Sequence, residues 1–231
     1  MANPEHVAIL SKGVEAWNAW RKTHQETPDL SRLTLVPPSG ASSGARGEGK
    51  QADGSPSPKK KSRLLTDALW DAKEGVYNLR GIDLRGTNLQ AATLTKVTFA
   101  QGDLSAATLA GARLDRVGFY EAKLEQAVFS ATYLERCSFK EAKARQGVFT
   151  EVRMELCDLR QVTLDSCNMT HATLIKCDLR AGSLCRASLV RATLQSCEFA
   201  GAKLEHLDAR ELHGEELNLR GAHMEHAELS S

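Results

Sequence analysis

Residues 77–91 read Tyr77-Asn78-Leu79-Arg80-Gly81, Ile82-Asp83-Leu84-Arg85-Gly86, Thr87-Asn88-Leu89-Gln90-Ala91. Each of these three pentads carries Leu at its third position and an uncharged residue two places earlier. The phase then holds to the end of the chain. Of the 31 positions met at five-residue steps from Leu79 to Leu229, 19 are Leu, six are Phe and three are Met, with Ala144, Ala209 and Gly214 as the exceptions. The residue two before each centre is Ala, Val, Cys, Leu, Gly, Thr, Ile or Tyr and is never charged.

A period of five fits neither a helix at 3.6 residues per turn nor a flat strand at two. Two inward positions in every five require a chain that turns a corner once per pentad. Four corners close a square coil, and stacked coils pair as parallel rungs around a column of Leu and Phe. Steps of 20 separate the walls. Phe99, Phe119, Phe139 and Phe199 fall in one column; Phe129 and Phe149 are neighbours in another. The positions two before the first column hold Tyr77, Val97, Val117, Cys137, Cys157, Cys177, Cys197 and Leu217, with no Ala, although Ala fills 12 of the 31 such positions overall. One wall therefore carries bulkier inward pairs. The expected core is these six Phe with the Cys137, Cys157, Cys177 and Cys197 column.

The segments YNLRG-IDLRG-TNLQA and CDLRA-GSLCR-ASLVR resemble the pentapeptide repeat family, A(D/N)LXX, over residues 77–231. The resemblance implies an all-β solenoid, a right-handed quadrilateral β-helix of about eight coils. At roughly 4.8 Å per coil the rod is about 35–40 Å long. GVEAWNAWR followed by PDLSRLTL resembles the start of some bacterial members, with Leu30 and Leu35 as stray pentad centres ahead of an insertion.

Outside the repeat the chain changes character. All six Pro lie at or before Pro58. Residues 1–36 form an N-terminal region whose Val7, Leu10, Val14 and Trp17 predict an amphipathic helix, with Asn3 as cap and Pro4 at the first helical position. Residues 37–63 hold no large apolar side chain and read as a disordered Pro/Gly/Ser/Lys-rich linker. Residues 64–76 are expected to hold a capping helix over 66–75, begun at Thr66 and ended at Gly75. The helix with Trp17 and Trp20 is expected to pack on the end of the rod.

With 30 Lys+Arg against 29 Asp+Glu, the chain is neither a polycation nor an acidic tail protein. No apolar run reaches the length of a membrane span, and the start lacks the features of a signal peptide. Six Cys without zinc or disulfide spacing point to reduced thiols and a cytoplasmic setting. Four thiols in a line, one coil apart, do not surround a tetrahedral ion; they read as buried filler. Cys185 follows a centre and faces solvent, so it is the reactive thiol if any is. His206, His223 and His226 share a wall with Glu205 and Glu225, a potential metal cluster read more simply as solvated surface. Lys59–Lys61 and Arg63 form a short basic run, read as solvated. No nucleophile–base group lies over a cleft and no phosphate loop occurs, so neither an enzyme nor a cofactor is expected.

The function read from these features is a non-enzymatic scaffold that offers flat walls to a protein partner or a second copy as a homodimer; membrane and nucleic acid are disfavoured. The wall centred on Leu89 has uncharged flanks from Asn88 to Val190 and is the candidate interface, with Val128, Val148, Val190, Thr108, Thr150 and Thr170 facing out. The family resemblance implies the alternative, a DNA-mimicking protector of gyrase and topoisomerase IV. Such mimicry needs an acidic rod, whereas residues 77–231 hold 19 basic and 20 acidic groups, and 201–231 alone hold three and seven.

Overall fold

The computed structural model describes residues 1–37 and 69–230. The pentads form a four-walled solenoid in which each residue sits above its neighbour 20 positions away. The largest sheet contains eight parallel strands, one per coil: β1 (Thr34–Leu35), β4 (Thr93–Thr95), β6 (Arg113–Asp115), β7 (Tyr133–Glu135), β8 (Arg153–Glu155), β9 (Thr173–Ile175), β10 (Thr193–Gln195) and β11 (His213–Glu215). The other walls are ladders of single parallel bridges, such as Asn88 to Thr108 to Val128 to Val148.

The corners explain why a pentad turns. On three walls the carbonyl of each centre accepts the N–H three residues on, as from Thr87 to Leu84 at 3.0 Å. The third residue of that turn has positive φ, the type II pattern. All positions two past a centre from Gly81 to His226 lie near φ +55°, and only Gly81, Gly86, Gly111, Gly201 and Gly221 among them are Gly. The Leu94 wall makes no such turn bond among the described residues. There the bulky inward column sits instead, and Cys137, Cys157, Cys177 and Cys197 direct Sγ at the carbonyls of Leu114, Leu134, Met154 and Leu174 at 3.4–3.7 Å.

The core runs the length of the rod. Phe99, Phe119, Phe129, Phe139, Phe149 and Phe199 are all buried. Phe129 and Phe149 stack with their planes 3° apart and their centroids 5.0 Å apart. Gly147 passes so near this stack that a Cβ there would lie 2.7 Å from the Phe149 ring.

The N-terminal region is two helices, α1 (Pro4–Leu10) and α2 (Val14–Thr23), rather than one. Gly13, at φ 103°, turns the chain between them. Asn3 caps α1 as expected, its Oδ1 accepting from Glu5 N at 2.9 Å. Leu30 and Leu35 are pentad centres: Asp29 bridges to Asn88, and β1 pairs in register with β4. Residues 28–35 thus supply two walls of the first coil.

The helix expected over 66–75 is not formed in its described part. β2 (Trp70–Asp71) runs antiparallel to β3 (Val76–Asn78), which pairs in turn with β5 (Val97–Thr98). Asp71 Oδ1 accepts the Lys73 N–H, and Gly75 N donates to Asp71 O, closing a tight turn with Gly75 at φ +66°. The Asp-to-Gly turn outweighs helix propensity because Trp70 packs edge-on against Tyr77, ring centroids 5.0 Å apart. Most of the linker expected over 37–63, and the start of the capping segment, lie outside the described residues.

Candidate functional site: the walls and ends of the rod

Flat walls set the geometry of any site here. The wall centred on Leu89 carries its outward side chains on bridge positions one coil apart. Thr108, Val128 and Val148 precede their centres; Thr150, Thr170 and Val190 follow theirs. All six are half-buried rather than open, because neighbours stacked one coil above and below cover their sides. Thr150 Oγ1 donates to Ser130 Oγ at 2.8 Å, so part of the wall's polarity is satisfied internally. No salt bridge involves its flanking residues between Asn88 and Val190. The corner before it reads Gly86, Ala106, Gln126, Gln146 and Ser166 until Arg186 interrupts it, so the neutral strip is wider than the wall alone over its first five coils. At its N-terminal end, Met1, Arg32, Gln90 and Gly111 border a depression of about 630 Å³.

Charge is concentrated and paired on the other walls. Arg160 holds Asp158 at 2.7 Å and reaches Asp178 at 3.7 Å, while Arg180 holds Asp178 at 2.6 Å. The Arg160 hydrogen bonds keep the Asp158 carboxyl below its ordinary range despite partial burial. Arg145 pairs with Asp165, and Arg153 with Glu155.

Cys185 is not an activated thiol. It is half-buried, and its Sγ donates to Glu205 Oε2 at 2.9 Å. Burial and the Glu205 carboxylate both raise its pKa. Two of the core thiols are also shifted upward: Cys167 to about 12 by burial, and Cys177 to about 12, chiefly through its hydrogen bond with Cys157. His206 and His226 stack 4.9 Å apart, and His223 lies 3.9 Å from Glu225. No three acidic, His or Cys side chains among the described residues converge as metal ligands.

The ends of the rod, which the sequence did not single out as sites, differ sharply. At the N-terminal end α2 lies across the exposed edge of the first coil. Trp17 is fully buried and its Nε1 donates to Asp83 O at 2.6 Å. Asn18 accepts from Asp83 N at 2.8 Å and donates to Gly81 O at 2.9 Å. Arg21 Nη2 donates to Arg85 O at 2.8 Å. These side chains take the partners a preceding coil would supply. At the C-terminal end no element among the described residues does so: Leu219 is 39% exposed and Leu229 62%.

The repeat, the four walls and the stacked core define a pentapeptide repeat solenoid. Residues 78–111 match the family description of pentapeptide repeats in eight copies, and residues 112–193 that of a pentapeptide repeat region. The chain belongs to the pentapeptide repeat family. Similar solved structures include HetL, a pentapeptide repeat protein involved in heterocyst differentiation regulation from the cyanobacterium Nostoc sp. strain PCC 7120. It is 23% identical over 66% of this chain and 81% of its own, with a TM-score of 0.30. A trypsin-treated form of QnrB1, a plasmid-mediated fluoroquinolone resistance protein, is 18% identical over 66% and 91%, with a TM-score of 0.36. A thylakoid-lumen pentapeptide repeat protein of Arabidopsis thaliana is 21% identical over 55% and 67%, with a TM-score of 0.16. No curated protein is significantly similar to the chain. No helix among the described residues is long and apolar enough to cross a membrane.

Proposed function

We propose that this protein is a non-enzymatic scaffold that binds a protein partner through the wall centred on Leu89. The observation that carries this reading is the contrast between walls. Three bear ladders of paired Arg and acidic side chains, whereas this one has uncharged flanks from Asn88 to Val190. An interface core is depleted in charge, since burying an ion on association costs more than burying Val or Thr. Val128 and Val148 lie adjacent on the ladder and form its apolar centre. The test replaces both with Lys and measures partner capture from the host together with the circular dichroism spectrum. Lost capture with an intact fold supports the wall as interface; undiminished capture removes it.

A second reading is protection of a type II topoisomerase by DNA mimicry, favoured by the three basic and seven acidic residues of 201–231. The salt bridges along the rest of the rod weigh against it, because a DNA mimic presents unpaired negative charge. A gyrase supercoiling assay with a quinolone separates the readings: protection by the protein supports mimicry, and no protection leaves the scaffold.

A further inference from the structure

The inward column that follows the Leu94 wall holds four thiols in succession. Cys137, Cys157, Cys177 and Cys197 are at most 2% exposed, and Val117 and Leu217 bound the run at either end. Each Sγ takes the same direction, towards the carbonyl of the residue 23 places earlier, at 3.4–3.7 Å. The sulfurs therefore repeat with the coils, about 4.8 Å apart along the rod. Like Cys177, Cys157 and Cys197 are pushed up chiefly by a hydrogen bond with the thiol one coil before them, so adjacent thiols interact and these three are protonated at neutral pH. A disulfide would draw two sulfurs to about 2.05 Å, less than half the coil spacing. A tetrahedral ion would need four ligands around one point. A linear ion needs neither rearrangement: two thiolate bonds of about 2.3 Å on opposite sides of one ion span about 4.6 Å. The inward side chains lie across the rod, so their Cβ–Sγ bonds stand roughly perpendicular to the line of sulfurs, as a linear dithiolate requires.

We propose that this column is a binding site for a soft, two-coordinate divalent ion, Hg(II), held as linear dithiolates by Cys137 with Cys157 and by Cys177 with Cys197. The all-sulfur donor set selects a soft ion. Burial selects its charge. On binding, two S–H bonds break, two S–Hg bonds form and two protons pass to solvent. A divalent ion with two thiolates is then neutral, whereas Cu(I) or Ag(I) would leave a net negative charge in an apolar core. Four sulfurs in line leave three gaps, but each sulfur serves one neutral pair, so the two outer gaps fill at saturation. Zn(II) gathers four ligands and finds only two here. Cys167 provides an internal contrast: it is equally buried, but the positions one coil to either side are Gly147 and Ala187, so it has no thiol to share an ion with. Entry is by local opening at the corner before the column, which among the described residues lacks the turn bond of the other three.

The test uses the full chain carrying Cys167→Ala and Cys185→Ser, which leaves only the column, with mercuric chloride as the probe. The ion is loaded by overnight incubation of the folded chain and, separately, by refolding from urea in its presence, so that slow entry is not read as absence. Two ions per chain are expected, with X-ray absorption showing two sulfurs at about 2.3 Å and no further ligand. Two protons are released per ion in weakly buffered solution. The thermal midpoint rises by about 5–10 °C at a free ion concentration about 100 times the Kd. Val fills this same column at Val97 and Val117, so Val is the replacement that keeps the packing. Cys157→Val lowers the stoichiometry to one ion, and Cys157→Val with Cys177→Val to none, since Cys137 and Cys197 lie three coils apart; circular dichroism checks that each variant folds. Zinc chloride, run in parallel, is not retained. Fewer than two ions by both loading routes overturns the proposal, as do a third ligand in the absorption spectrum, four singly bound ions, loss of the circular dichroism spectrum on loading, equal uptake of zinc, or two ions kept by the double Val variant.

Discussion

Trp17 and Asp83, 66 residues apart in sequence, are joined by a 2.6 Å hydrogen bond from the indole Nε1 to the backbone carbonyl. The bond makes a side chain stand in for the missing rung of a β-solenoid. Its neighbour Asn18 receives the Asp83 N–H, so one residue of the first coil has both backbone groups satisfied by α2. Trp17→Ala therefore removes a fully buried ring and frees a carbonyl in the edge. A loss of about 3–5 kcal/mol is expected, seen as a lower midpoint in thermal unfolding. Trp17→Phe restores most of the packing but not the bond, and recovers only part of the loss.

Two glycines give a paired prediction about packing. A Cβ at Gly147 would meet the Phe149 ring at 2.7 Å and the Ala144 carbonyl at 3.0 Å, whereas at Gly118 the nearest atom is Thr98 Oγ1 at 3.6 Å. Gly147→Ala destabilises by about 1–3 kcal/mol, because two of its neighbours are backbone oxygens that cannot move aside. Gly118→Ala lies within about 0.5 kcal/mol of the parent. Urea unfolding of the two variants checks both.

Corner residues give a third. Gln126 holds φ +58°. A β-branched side chain resists that conformation, so Gln126→Val costs about 1–2 kcal/mol although the position is exposed. Gln126→Gly has no such strain and is at least as stable as the parent. Equal denaturation midpoints for the two variants would contradict the turn geometry.

The Cys185 thiol, held by Glu205, labels slowly with iodoacetamide at neutral pH. Glu205→Gln removes the negative charge and lowers the thiol pKa, so labelling accelerates several-fold while the five buried thiols stay unreacted. Mass spectrometry of the alkylated peptides reads the outcome.

Acid sensitivity follows from the Asp–Arg pairs. Asp83, Asp158 and Asp208 are lowered from 3.8, in each case chiefly by hydrogen bonds from Arg85, Arg160 and Arg210. A depressed carboxyl pKa contributes stability that is present above 3.8 and is lost as the pH falls through the lower folded value. The thermal midpoint is therefore flat through neutral pH and falls below about pH 4. Asp158→Asn lowers the neutral plateau slightly, by less than about 1 kcal/mol because the pair is solvent-screened, and flattens the acid limb.

The pentad centres, the four-wall register and the Cys column were legible in the sequence because the five-residue phase holds without a slip over 31 pentads. Leu30 and Leu35 were legible for the same reason. The corners were equally present but need a different reading: no position two past a centre from Gly81 to His226 is Val, Ile or Thr, the signature of positive φ. The N-terminal region was harder. Val7, Leu10, Val14 and Trp17 share a helical spacing, yet Gly13 breaks the helix, and the periodicity reports only burial. The 66–75 helix failed because its signals, a capping Thr and a terminal Gly, also fit a hairpin turn, and Trp70 found Tyr77 across it. Cys185 looked open because slot position sets direction, not cover; Glu205 lies one coil away, where spacing by 20 alone would have found it. The exposure of Leu219 and Leu229 left no mark in either residue, since both fit the pattern as well as the buried centres do.

Because vertical neighbours from Tyr77 onward are 20 residues apart, length and facing are separate quantities in this molecule. Excising residues 129–148 would remove one whole storey, rejoin like with like on every side and shorten the rod by about 4.8 Å. Excising only 129–133 would turn everything beyond it through a quarter revolution. The neutral strip would then be split between two compass directions, each half beside the other's ion pairs. The protein can thus be lengthened or shortened in evolution without cost to what it presents, but only in steps of a full revolution.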